Sequence, residues 1–185
     1  TFGQTGSDTA LLYGPRDVAV DPTGRVFVTD TGNKRILVYD TQGSFLHQWG
    51  GGGIVEGHFE EPVGLAFDEN RAILYVADTW NQRVQAFDTN YLFVREWPVE
   101  AWYGESVVNK PYLAVDGQGR VYLTDPEGYR VAVFDHEGEL QATFGRYGFD
   151  QDSFSLPVGI AVDAEGTIYV SDTDGQRIIR FEPLP

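Results

Sequence analysis

Apolar and polar positions alternate along the chain in short runs, each run broken by a turn rich in Asp and Gly. The stretch "VAVDPTGRVFVTDTGNKRILVYDTQGSFLHQWG", from Val18, shows the pattern in full. "VAVD", "RVFVTD", "RILVYD" and "SFLHQWG" have strand length and strand alternation. "DPTG" and "DTQG" between them are tight-turn sequences, in which Asp bonds its own backbone and Gly takes positive φ. Nothing in the chain carries helical periodicity. The pattern predicts four strands joined by three hairpins.

That unit recurs. Copies begin at Pro15, Pro62, Pro111 and Pro157, and equivalent positions Asp17, Gly64, Tyr112 and Gly159 lie 47 or 48 residues apart. A period this long, filled by four antiparallel strands, is that of a propeller blade. The expected fold is all-β: a β-propeller of four blades, each of four antiparallel strands, forming a single domain over 1–185. Its repeats cover 15–61, 62–110, 111–156 and 157–185, the last together with 1–14. The fourth copy stops at "FEPLP", before its last strand, while the opening "TFGQTG" matches "TFGRYG" (from Thr143) and "QWGGGG" (from Gln48). Thr1–Gly3 is therefore expected to complete the last blade and latch a ring, which would remove exposed sheet edges. The rival expectation is a piece of a larger ring.

The repeat resembles the NHL repeat in "PVGIAVD", "IYVSDT", the N-x-R-I element and the V-F-D-x-x-G hairpin, and the resemblance covers nearly the whole chain. It implies blades around a central channel with "VAVD" as the innermost strand. Most NHL propellers have six blades, whereas four copies are present here. Copy three is one residue shorter near its proline, and copy two has "DENRA" where the others place a glycine turn.

Composition narrows the functional classes. A net charge of −15 would repel phosphate, so no nucleic acid is expected as a partner, and an anionic membrane surface is disfavoured for the same reason. No apolar run approaches the roughly 18 residues of a membrane span, so no direct membrane insertion is expected. Without cysteine there are no disulfides and no thiolate metal sites. The chain starts without Met, which suggests a processed or internal piece, and it is expected to belong to a larger extracytoplasmic protein.

Four Asp–Arg pairs stand five residues apart, one per copy: Asp30/Arg35, Asp78/Arg83, Asp125/Arg130 and Asp172/Arg177. An acid and a base at fixed spacing could be chemistry, but one active site needs one constellation and not four. They are read as struts across a hairpin. Asp21, Asp68, Asp116 and Asp163 form a second fourfold set, read as turn residues and not as a ring around a cation. His47, His58 and His136 occupy unrelated places, and only His58, in the "EGHFEEP" loop, is a candidate ligand.

The loops between copies differ more. Leu12, Phe59, Val108 and Phe154 recur three residues before each proline and are read as core plugs. What remains is variable and aromatic: Tyr13, His58, Trp102, Tyr103, Tyr147 and Phe149, among Asp8, Glu56, Glu60, Glu100, Glu105, Asp150 and Asp152. Arg16, Asp17 and Tyr112 break the repeat where copies two and four carry Val and Gly, and are placed at the channel mouth. The expected function is a non-catalytic binding or scaffold domain without a cofactor, catalytic residues or a metal site. It would recognise a basic protein segment or a glycan through the loops, with self-association as a further possibility. The alternatives are a metal-dependent enzyme resembling propeller lyases and lactonases, and a purely structural module.

Overall fold

The computed structural model describes residues 3–6, 9–102 and 109–185, in two compact units, Thr1–Pro98 and Val99–Pro185. The first unit opens with β1 (Gln4–Thr5) and β2 (Leu11–Leu12), which pair in parallel. Its first large sheet is the meander β3 (Pro15–Val20), β4 (Val26–Asp30), β5 (Arg35–Tyr39) and β6 (Phe45–Gly50). Its second is β7 (Pro62–Asp68), β8 (Ile73–Asp78), β9 (Arg83–Phe87) and β10 (Phe93–Pro98). The second unit holds β11 (Leu113–Val115), β12 (Val121–Asp125), β13 (Arg130–Phe134) and β14 (Leu140–Phe144), then β15 (Pro157–Val162), β16 (Ile168–Asp172) and β17 (Arg177–Phe181). Every pairing within these four sheets is antiparallel. The fold is an all-β propeller of four blades, two in each unit. Helix is confined, among the described residues, to three 3-10 turns.

The last sheet has three strands among the described residues. Of Thr1–Gly3, which were expected to supply its fourth, Thr1 and Phe2 lie outside them and Gly3 stands in no strand. The residues from Gly3 onward nevertheless form the repeat's own linker. Thr5 pairs with Leu12 as Gly52 does with Phe59 and Tyr147 with Phe154, each in parallel and each seven residues on. Gly3, Gly50 and Gly145 all have positive φ, and a Cβ on them would stand 2.6, 2.8 and 2.4 Å from Leu12, Phe59 and Phe154 respectively. Only glycine combines that backbone with so close an aromatic or aliphatic neighbour.

Hairpin chemistry follows the residues. Asp21 Oδ1 accepts the N–H groups of Thr23 and Arg25, and Asp40 those of Gln42 and Ser44. Where copy two lacks the turn glycine, Ala72 and Tyr91 adopt φ of 57° and 67° in its place. Within each unit, strand alternation then buries one face of the first sheet against the second. In the first unit Phe27, Ile36 and Val38 pack with Leu65, Leu74, Val76 and Phe87. In the second Tyr122, Val131 and Val133 pack with Ile168, Val170 and Ile179.

Polar links reinforce both stacks. The Thr29 hydroxyl accepts from Asp17 N–H and donates to the Val63 carbonyl of the next sheet (2.8 and 2.9 Å). Thr124 does the same between Tyr112 and Val158. Arg25 and Arg120 each bind their own turn Asp and reach a backbone carbonyl of the following sheet, Thr89 and Pro185.

The four Asp–Arg pairs close the β4/β5, β8/β9, β12/β13 and β16/β17 hairpins, with Nε to Oδ2 distances of 2.8, 2.9, 2.8 and 2.9 Å. In each, the residue before the Arg is left-handed: Lys34, Gln82, Tyr129 and Gln176 have φ between 53° and 56°. The fourth position of the motif is Asn or Gly for a physical reason. Asn33 and Asn81 donate to the Asp carboxylate at 2.7 Å, whereas a Cβ at Gly128 or Gly175 would fall 2.0 or 2.2 Å from it. Removing one partner of a buried pair strands the other. Asp78→Ala is therefore expected to cost about 3 kcal/mol or more in urea unfolding, because Arg83 is buried with it. Asp125→Ala should cost clearly less, since the Arg130 side chain is 43% exposed and can rehydrate.

Candidate functional site

In three of the four struts the second carboxylate oxygen does different work: it holds the loop that enters the blade, whereas Asp125 Oδ1 accepts the Gly128 N–H of its own hairpin. Asp30 Oδ1 accepts the Tyr13 N–H, Asp78 Oδ1 those of Glu60 and Glu61, and Asp172 Oδ1 those of Ser155 and Leu156. The Arg completes the grip from the other side. Arg35 donates to the Leu11 carbonyl, Arg83 to those of Ile54, Val55 and His58, and Arg177 to those of Phe149 and Ser153. Asn33 and Asn81 add a bond to Gly6 and Gly53. The variable loops are thus pinned through their backbones, and their side chains are left free to vary.

The plugs expected under these loops divide. Phe59 and Phe154 are fully buried, Leu12 is half-buried, and Val108 lies outside the described residues. In the second unit the loop leading to the plug carries the most exposed aromatics among the described residues. Tyr147 and Phe149 are 62% and 65% exposed, and their ring centroids stand 6.0 Å apart. Tyr129, from the left-handed strut position, packs edge-on against Tyr147 at 4.9 Å. Arg146 and Asp150 pair at 2.5 Å beside them. Tyr129 was not singled out from the sequence, although its place in the repeated strut, next to Arg130, was the available signal.

The other residues singled out from the sequence are placed differently. Trp102 is only 6% exposed and donates its indole N–H to the Thr124 carbonyl, so its ring is spent on packing and not on an open stacking surface. Tyr103 lies outside the described residues. His58 is exposed, its Nδ1 3.4 Å from the Glu56 carbonyl, and His47 stacks on Tyr91 at 4.4 Å. Among the described residues no group of three or more His, Cys, Asp or Glu gathers as a metal site. Arg16 is exposed on β3, and Tyr112 is half-buried with its N–H on Thr124. In the first unit Ile54, Asn81, Gln82, Arg83, Glu96, Trp97 and Pro98 line an open hollow of about 350 Å³.

Asp17 does not pair with Arg16. Its carboxylate accepts the N–H of Leu65 on β7 and that of Val18, both at 2.8 Å, joining the two inner strands of the first unit. Burial raises its carboxyl pKa above the ordinary value, and the bonds from Leu65 and Val18 offset this only in part. The carboxyls of Asp21, Asp116 and Asp163, at the first turns, go the other way. At Asp116 burial opposes ionisation, but the Arg120 side chain and N–H and the Tyr122 hydroxyl outweigh it and hold the pKa low.

A raised carboxyl keeps its proton longer in the fold than in the unfolded chain. Its contribution is favourable in acid and lost as pH climbs from the unfolded value through the folded one. Asp116, being depressed, contributes above the unfolded pKa and loses that contribution as pH falls through its folded value. For Asp17→Asn, the stability of the variant minus that of the parent is expected to grow from acidic to neutral pH in urea titrations. For Asp116→Asn it should shrink over the same interval.

Comparison with known proteins agrees with this geometry. Residues 5–146 match the family model described as SMP-30/Gluconolactonase/LRE-like region, and residues 154–181 match the NHL repeat. The chain is 27% identical over 145 residues to Protein brain tumor of Drosophila melanogaster, covering 78% of this chain and 14% of that protein. It is 34% identical over 73 residues to RING finger protein nhl-1 of Caenorhabditis elegans, covering 40% and 8%. Among solved structures, a streptogramin B lyase superposes with a TM-score of 0.64 at 13% identity, covering 91% of this chain and 54% of that one. The WD40 repeats of RRP9 give 0.61 at 15%, covering 91% and 51%. The chain therefore spans a small part of these curated relatives and about half of these structures, and at such identities the structures speak for the fold alone.

Proposed function

The chain belongs to the NHL-repeat β-propellers, with most of its length in the SMP-30/Gluconolactonase/LRE-like family, and we propose that it is a non-catalytic binding domain that recognises a basic segment of a protein partner. One observation carries this reading: Tyr147 and Phe149 stand exposed on a loop whose backbone is clamped by Arg177 and Asp172. Exposed aromatics are useful at an interface when little entropy is lost in holding them, and here the fold has already fixed their backbone. Tyr129 packs edge-on against Tyr147, and Arg146 and Asp150 supply a polar rim. The net charge of −15 favours a partner with Lys and Arg and speeds its approach.

The test is binding of Lys/Arg-rich and of acidic peptides to the intact chain at low and high salt. The basic peptides should bind and weaken with salt. Tyr147→Ala with Phe149→Ala should cost about 2 kcal/mol, roughly 30-fold in Kd. The melting temperature should stay unchanged, because both rings are exposed. Binding that is indifferent to salt and selective for sugars would point instead to a glycan. Peptide binding unchanged in the double variant would remove this loop from the reading.

A second reading, a metal-dependent hydrolase or lyase, draws on the family description and on the likeness to the streptogramin B lyase. Among the described residues no group of three or more His, Cys, Asp or Glu gathers for such an ion. Equilibrium dialysis of the purified chain against divalent cations separates the two. One tightly held ion per chain would support the enzyme; loss to the buffer level is the expected result.

A further inference from the structure

The hollow beside the β8/β9 hairpin of the first unit plays no part in the loop contacts of Tyr147 and Phe149. Its volume of about 350 Å³ falls in the range of small-ligand pockets, roughly 300–1,000 Å³. Ile54, Gln82, Glu96 and Pro98 line it together with the buried Arg83 and Trp97. Ile54 is 76% exposed, yet its loop is firmly held. Gln85, buried in β9, accepts the Gly57 N–H and donates to the His58 carbonyl, adding to the grip of Arg83 and Asn81. The other copies carry Leu37, Ala132 and Ile179 where Gln85 stands, and those side chains cannot form such bonds. The clamp is specific to copy two.

The hydrogen-bond inventory decides what the hollow can receive. A guanidinium has five N–H donors. All five of Arg83 are engaged: Nε on Asp78, Nη1 on Glu96 and the Ile54 carbonyl, and Nη2 on the Val55 and His58 carbonyls. Arg83 therefore has no donor left for an anion. Glu96 meets Arg83 through Oε2 at 2.7 Å, while its Oε1 makes no hydrogen bond with the described residues. The half-buried Gln82 side chain makes none either. Asp78 and Glu96 set two carboxylates against one guanidinium, so a negative charge stays uncompensated at the rim.

The equivalent positions in the other copies lack this character. Gln82 and Glu96 correspond to Lys34 and Gln48 in copy one, and to Tyr129 and Thr143 in copy three. Copy one thus carries a cation of its own there and copy three no charge. Of these three copies only the second presents an acid with an open oxygen.

We propose that this hollow takes the side chain of an arginine, with its guanidinium on Glu96 Oε1 and the Gln82 amide oxygen and its methylene stem along Ile54 and Pro98. A planar cation with several N–H donors suits two neighbouring acceptors better than an ammonium, which is a more strongly hydrated point charge. The assignment rests on the basic-partner reading for what carries the arginine, and on the hollow alone for the chemistry.

NMR titration of the intact chain with Nα-acetyl-arginine amide tests this, with the acetylated amides of lysine and norleucine as controls. The arginine derivative should bind saturably, shift the Ile54 and Gln82 amides and the Trp97 indole, and bind several-fold tighter than the lysine one. Glu96→Gln should weaken it about tenfold. That exchange spares the fold, since Gln48 accepts from Arg35 at the equivalent place at 3.1 Å. Gln82→Lys, the residue copy one holds at this left-handed position, should abolish binding by supplying a cation from within the chain. Absence of saturable binding, equal binding of the lysine or norleucine derivative, or a Glu96→Gln chain that binds like the parent would overturn the site. A peptide with a single arginine should reproduce the shifts. If it does not while the capped residue does, the peptide source is overturned and a small free guanidinium is the ligand. Tyr147→Ala with Phe149→Ala should leave binding of the capped arginine unchanged, so the loop reading and this site fail or stand separately.

Discussion

Three of the four blades depend on one carboxylate shared between the hairpin and the incoming loop. Asp78 is fully buried, yet it accepts bonds from Arg83 across the hairpin, from Asn81 within it, and from Glu60 and Glu61 on the incoming loop. A buried charge survives only with its bonds satisfied, so the three segments must arrive together or not at all. Asp30 repeats all three, and Asp172 repeats the Arg and loop bonds with Gly175 in place of the Asn. It makes the register of the hairpin and the path of the loop a single decision. The apolar stacks supply the bulk of the stabilisation, but they do not by themselves fix where a loop leaves the sheet.

This division explains how a repeat can carry a unique surface. The loops are held by backbone N–H and C=O groups, which every residue type provides, so their side chains are released from structural duty. Tyr147 and Phe149 are free in this sense; Phe154, on the same loop, is not, because it fills the space above Gly145. Acidic surroundings then bias what such a surface attracts without deciding its shape. Asp17 is the reverse case. A residue that breaks the repeat is placed by the sequence at the channel mouth as a candidate contact, and its carboxylate makes an inter-sheet bond to the N–H of Leu65.

The sequence by itself determined the strands, their antiparallel order, the fourfold period and the Asp–Arg struts. These rest on interactions between residues close along the chain, and repetition multiplied a weak local signal by four. Leu12, Phe59 and Phe154 could be assigned to the interior on spacing alone, and two of the three are fully buried. The candidate site was legible only in part. Trp102 and Tyr147 look alike in a loop sequence, and only the tertiary structure sends one to the Thr124 carbonyl and leaves the other exposed. Tyr129 joins the aromatic patch because a left-handed turn aims it there, and Asp17 turns inward because a strand 48 residues away presents an N–H. Such outcomes depend on which groups meet across the fold, and no spacing along the chain encodes that distance.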